Sequence, residues 1–297
     1  MVKRLLLGPV LIVLMLGLCL ADERVGSASA PSWLGSGTFP PGTVIWPACL
    51  ALAWGGALEL ARMLRAKGVV ASRFVTPLAA GVGMAACGTA LVFEDRSLTV
   101  AAMTIAATIS LIASQTYYSR ARTFEGALAS AAGAMLAFVY LGVMFGCVAL
   151  IRSEHPVWIL VWVLLTTKSS DIGAYFTGRA IGQHKLIHWL SPGKTWEGLF
   201  GGTIFAGLVG WAGLWALERA CGLAVPAPWT GGLAGMLFAL VGQMGDLGES
   251  LFKRDAGLKD SGETIPGFGG FLDVLDSVIL VAPVAYWWLR LVHPPPV

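Results

Sequence analysis

Residues 127–150, ALASAAGAMLAFVYLGVMFGCVAL, carry no charged side chain. Hydrocarbon about 30 Å thick is crossed by roughly 20 apolar residues in a helix, so the stretch reads as a membrane span. It lacks the strict alternation that a membrane barrel strand shows. Working outward, further apolar runs lie near residues 4–21, 43–63, 74–93, 97–116, 156–176, 199–217, 229–247 and 271–291. The expected fold is an all-α polytopic membrane protein of about nine transmembrane helices with cytoplasmic-facing polar loops. Composition agrees: 56% of the 297 residues are hydrophobic and 12% charged, against about 25% charged in soluble domains.

The net charge of +3 is too small to argue for nucleic acid, and its distribution matters more than its sum. With the N-terminus inside, 15 of the 20 Lys and Arg residues fall in inside loops and 5 outside, which fixes the expected orientation. Residues 1–21 read either as the first crossing or as a signal segment, because Lys3 and Arg4 precede an apolar stretch ending in small residues. Residues 22–42, rich in Gly, Ser and Pro, read as a surface loop. Cys19, Cys49, Cys87, Cys147 and Cys221 have no metal-type spacing and read as small hydrophobes. Gly231 and Gly235 have the spacing that lets two membrane helices approach closely. Residues 1–150 form an expected N-terminal transmembrane region for packing or dimerisation, and 151–297 the catalytic region.

The reason for that division is charge. Residues 245–277, GDLGESLFKRDAGLKDSGETIPGFGGFLDVLDS, hold 10 of the 37 charged residues, and ionisable groups at a membrane edge are costly enough to mark function. Asp246, Glu249 and Lys253 share one face if the eighth helix continues through them, and Asp273 and Asp276 repeat the spacing at the start of the ninth. Carboxylates brought together by the intervening turn require a cation between them, and hard oxygen donors suit Mg²⁺, or Mn²⁺. Lys194, Lys253, Arg254 and Lys259 offer donors to phosphate oxygens. Metal and cations together point to phosphoryl or nucleotidyl transfer. Gly262, Gly267, Gly269 and Gly270 with Pro266 allow a turn whose backbone N–H groups face an anion.

Upstream, residues 168–198, KSSDIGAYFTGRAIGQHKLIHWLSPGKTWEG, place Asp171 near a membrane edge and bring Ser191, Lys194 and Glu197 ahead of the seventh run. Thr195 to Gly198 read equally well as a plain helix start. His184 and His188 lie four apart with no acid between them and read as interfacial residues rather than metal ligands.

The segment from Ser250 to Ser277, SLFKRDAGLKDSGETIPGFGGFLDVLDS, preceded by DIGAYFTGR and SPGKTWEG, closely resembles the phosphatidate cytidylyltransferase (CDP-diacylglycerol synthase) family over about residues 165–280. The first half is similar only in being hydrophobic and polytopic. Two positions depart from the family pattern, Phe268 where it has His and Val274 where it has Arg. The resemblance implies that CTP and phosphatidate give CDP-diacylglycerol and pyrophosphate. Asp246 and Asp273 are then the principal metal ligands, with Asp276 and Glu249 assisting. Lys194, Lys253, Arg254 and Lys259 hold phosphates, and Asp260 orients Lys259 or the nucleotide. Asp171 and Ser191 contact nucleotide or metal, and Glu197, Ser250 and Ser261 complete the substrate-binding set. A homodimer in the inner (plasma) membrane, its active site facing the cytoplasm, is also implied.

Three other readings compete. A CTP-dependent kinase of a polyprenol-type lipid shares metal, nucleotide and interface. A transporter also keeps carboxylates beside membrane helices, but here the charges gather on one side. A membrane scaffold leaves the clustering without a reason.

Overall fold

Apolar runs too long for strands and flanked by charge fold as helices, because only a helix satisfies its own backbone N–H and C=O groups in hydrocarbon. The computed structural model describes residues 2–30, 37–93, 95–120, 122, 124–267 and 269–294, with the backbone alone for residues 2–7. Nine helices occur among the described residues. They are α1 (Val2–Gly26), α2 (Ile45–Ala66), α3 (Val75–Gly88), α4 (Arg96–Ser119), α5 (Ala127–Glu154), α6 (Val157–Ile181), α7 (Trp196–Cys221), α8 (Pro228–Asp255) and α9 (Phe271–Val292). Each coincides with an expected run, and α5 contains a π-helical segment, Phe138–Met144. Five of them, α4, α5, α6, α7 and α9, are long and apolar enough to cross a membrane by length and composition. The chain is an all-α polytopic protein.

The helical rule is broken ahead of α7. Between α6 and α7 a short antiparallel hairpin pairs β1 (Lys185–Ile187) with β2 (Ser191–Thr195), in the register Lys185↔Thr195 and Ile187↔Ser191. His184 and His188 therefore flank a strand, and the helical spacing that would join them on one face does not arise. Thr195 ends the hairpin and caps α7, its Oγ1 accepting from Gly198 N–H at 3.1 Å. The helix-start reading of Thr195 to Gly198 holds.

The chain divides into two compact units. The first takes residues up to Val157 together with Asp255–Leu275, and the second takes Trp158–Arg254 and the chain from Asp276 onward. The glycine-rich loop goes with the N-terminal helices in the first unit.

In the first unit, Asp22 is buried and forms an ion pair with Arg152, Nε to Oδ2 2.7 Å. The same carboxylate accepts from Gly42, Val44 and Ile45 N–H and so fixes the start of α2. At the start of α4, Asp95 caps the helix through Ser97 N–H, as a short acceptor at that position does. In the second unit, α7 and α8 touch through glycines, and a Cβ added at Gly235 would stand 3.0 Å from Gly207 Cα. The Gly231 and Gly235 spacing is thus used for close helix packing, where only a missing side chain permits that approach.

Candidate active site

Of the acidic residues singled out in the sequence, Asp246, Glu249 and Asp276 gather in the second unit, and Asp273 lies in the first. In the second unit α8 runs on through the charged segment to Asp255, so Asp246, Glu249 and Lys253 do share a face. Asp246 and Glu249 of α8 and Asp276 of α9 bring one carboxylate oxygen each within 4.8 Å of one another. Glu249 is fully buried and Asp276 nearly so.

Each acid of this trio has its own ammonium. Lys194, carried in on β2, reaches Asp246 Oδ2 at 2.5 Å. Lys253, one turn beyond Glu249 on α8, reaches its Oε2 at 2.5 Å, the i, i+4 order that favours the helix. Lys168 of α6 lies 3.3 Å from Asp276 Oδ1 and donates to Ser277 Oγ at 2.7 Å. Asp171, one turn further along α6, stands 4.0 Å from the same ammonium. Ser250 Oγ is 3.5 Å from Asp246 Oδ1. The hairpin, three helices and alternating charge therefore build a single acidic centre rimmed with lysines. Lys168 was missed in the sequence, although a lysine inside an apolar run was there to be read.

The remaining second-unit candidates stand at the edge of this group. Ser191 opens β2 and Arg254 is exposed at the end of α8. Glu197 faces His184, its Oε1 2.6 Å from the ring Nδ1 and both oxygens accepting from His184 N–H at 3.2 Å. That contact ties the hairpin to the first turn of α7.

In the first unit the glycine-rich turn does face an anion, and the anion belongs to the protein. Asp273 Oδ2 accepts from Gly270 N–H at 2.7 Å, Ser261 N–H at 2.9 Å and the Ser261 hydroxyl at 2.7 Å. Glu59, buried in α2, accepts from Phe271 N–H at 2.9 Å and Leu272 N–H at 3.0 Å, the first two N–H groups of α9. It also meets the Thr264 hydroxyl at 3.2 Å and the Ser261 hydroxyl at 2.9 Å. A helix N-terminus carries unsatisfied donors and a partial positive charge, so a carboxylate fits there. Glycine is required beside these acids, since a Cβ at Gly262 would stand 2.5 Å from Glu59 Oε1.

Glu59 was also missed in the sequence, where it is the lone acid of an apolar run. Lys259 and Asp260 are exposed on the loop between α8 and α9. Val274 lies half-buried on α9, and Phe268 lies outside the described residues. The expected pairing of Asp246 with Asp273 joins residues of different units.

The acidic trio fits a hard divalent ion. Two ligands about 2.1 Å from one Mg²⁺ lie at most about 4.2 Å apart, so oxygens within 4.8 Å of one another need only small side-chain rotations to share one. The ammonium groups beside them offer donors to the oxygens of a phosphate. Acids that gather a cation, ringed by lysines that gather an anion, suit the handling of a metal–phosphate pair.

The sequence profile of the cytidylyltransferase family matches residues 33–292. The chain is 42% identical over 145 residues to a phosphatidate cytidylyltransferase of Synechocystis sp., covering 48% of this chain and 47% of that one. It is 38% identical over 149 residues to the protein of that name in Brucella suis, 50% and 53% of the two chains. For Mycobacterium tuberculosis the figures are 37% over 143 residues, 48% and 41%. The chain spans about half the length of the curated relatives it matches.

Proposed function

The chain belongs to the cytidylyltransferase family, and on that premise we propose that it transfers the cytidylyl group of CTP to phosphatidate, giving CDP-diacylglycerol and pyrophosphate. The observation that carries this reading is the trio of Asp246, Glu249 and Asp276 with one ammonium on each acid. The names of the relatives support the substrates.

Asp246, Glu249 and Asp276 would hold Mg²⁺ or Mn²⁺, which when bound offsets charge on phosphate oxygens. Lys194 and Lys253 would turn from their carboxylates to the nucleotide phosphates, with Arg254 and Lys259 of the same charged segment as further donors. A lipid phosphate monoester is already a nucleophile. Its oxygen forms the bond to the α-phosphorus of CTP, the bond from that phosphorus to the β-phosphate oxygen breaks, and pyrophosphate leaves with the electron pair. No strong base is needed, so Asp260 serves to orient Lys259 or the nucleotide. Asp171 holds Lys168 in place.

The reactants explain a charged edge on a polytopic chain, because acyl chains stay in lipid while CTP arrives from water. The excess of Lys and Arg in alternate loops supports a cytoplasmic site in the inner membrane, and the N-terminal helices offer surface for a homodimer. Incubation of the purified chain with each labelled nucleoside triphosphate and phosphatidate tests the reaction. CTP should label the lipid as CDP-diacylglycerol with release of pyrophosphate. Release of CDP with a phosphorylated lipid would replace this reading with a lipid kinase.

A further inference from the structure

Three arginines of the first unit converge on one cleft that the chemistry above does not use. Glu59, Arg62 and Arg65 follow one another at intervals of three on α2, so they climb one face of the helix. Arg65 donates to Ala71 O at 2.9 Å and closes the turn that follows. Just ahead of α3, Ser72 Oγ accepts from Phe74 N–H at 3.1 Å and Val75 N–H at 3.2 Å, and Arg73 lies in that turn.

The cleft has a volume of about 410 Å³ and is lined by Arg62, Arg65, Arg73, Gly262, Glu263 and Thr264, with Glu59 among its walls. Arg62 and Arg73 are exposed, and neither has a hydrogen bond or ion pair among the described residues. Of the two acids, Glu59 is already taken up by the donors of Ser261, Thr264, Phe271 and Leu272. Glu263 alone is left to face three guanidinium groups. An excess of basic residues at inner helix ends is ordinary in membrane proteins. That rule explains their number but not their convergence from α2 and α3 on one cleft walled by a glycine-rich loop. Guanidinium groups present planar, paired donors that match phosphate geometry, and three of them match a doubly charged group.

We infer that this cleft of Arg62, Arg65 and Arg73 beside Gly262 and Thr264 is a subsite for a phosphate monoester. The ligand's identity rests on the proposed function: the phosphate belongs either to the lipid acceptor or to the terminal phosphate of the nucleotide. The lipid is favoured, because the cleft lies where apolar helices meet polar turns.

The test uses the full-length chain in detergent, as wild type and as the Arg62→Gln, Arg73→Gln double variant, both positions being exposed. Thermal shifts are read with dioctanoyl phosphatidate, with the diester dioctanoyl phosphatidylglycerol, and with CTP. The phosphatidate shift should disappear in the double variant while the CTP shift remains, and the KM for phosphatidate should rise about tenfold at unchanged KM for CTP. Loss of the CTP shift alone supports the subsite and assigns it to the nucleotide. Equal shifts with phosphatidate and phosphatidylglycerol, or no difference between wild type and variant, overturn the inference. If the wild type makes no CDP-diacylglycerol yet loses its phosphatidate shift in the variant, the subsite stands and the proposed reaction falls.

Discussion

The two units handle buried acid in opposite ways. In the first, Glu59 and Asp273 are met by neutral donors, most of them in the backbone: Gly270, Phe271 and Leu272 N–H groups, Ser261 N–H and two side-chain hydroxyls. In the second, Asp246, Glu249 and Asp276 crowd one another within 4.8 Å and are countered by lysines on three different elements. A carboxylate held by backbone donors is satisfied and rigid, and it serves to fix a loop. Carboxylates that repel each other and are balanced by flexible ammonium tails gain when a divalent ion arrives. On the proposed reading, the difference separates acids that build the protein from acids that bind.

The sharpest way to break this contrast is Asp246→Asn. Activity should fall by about 100-fold or more, as when a preorganised electrostatic group is removed. Thermal stability without metal should stay within about 1 kcal/mol, because the asparagine carbonyl still accepts from the Lys194 ammonium and one repelling charge is removed. Wild type should also gain stability on addition of Mg²⁺, and the variant should lose most of that gain. A variant as active as wild type would move Asp246 into the building class. The same ion titration on Asp273→Asn tests the pairing of Asp246 with Asp273, which is upheld if the Mg²⁺ response drops as far as in Asp246→Asn.

The mirror experiment is Glu59→Gln. Glutamine presents one acceptor oxygen and an NH₂ group where two α9 N–H groups need acceptors, so a loss of about 2–3 kcal/mol is expected. The loss should be equal with and without Mg²⁺ in thermal or chemical unfolding. A Mg²⁺-dependent loss would show that Glu59 belongs with the binding acids after all.

Much of this was legible in the sequence, and the part that was not has a physical cause. The nine helices follow from apolar length alone, and the shared face of Asp246, Glu249 and Lys253 follows from helical spacing once α8 runs on to Asp255. Asp273 and Asp276 also share a spacing, and spacing gives faces, not neighbours. It could not say that Asp276 meets Glu249 while Asp273 meets Ser261. Glu59 was visible as a lone acid among apolar residues, but its partners Ser261, Thr264 and Phe271 lie more than 200 positions further on. The hairpin was hidden because strands of three and five residues have little local pattern and exist through their partner.

The smallest effect belongs to Thr195→Ala, and it sharpens the contrast within a single hairpin. Thr195 is buried and caps α7 through Gly198 N–H, whereas its neighbour Lys194 reaches Asp246. Removing the cap should cost about 1 kcal/mol, read as a lower unfolding midpoint with an unchanged Mg²⁺ response and unchanged KM for CTP. Lys194→Met should do the reverse, leaving the midpoint near that of wild type and raising the KM for CTP. Adjacent residues with opposite signatures would show that the boundary between building and binding runs between positions 194 and 195. A shared signature would mean that the hairpin acts on the acidic trio as one piece, with Thr195 positioning Lys194 through the strand they have in common.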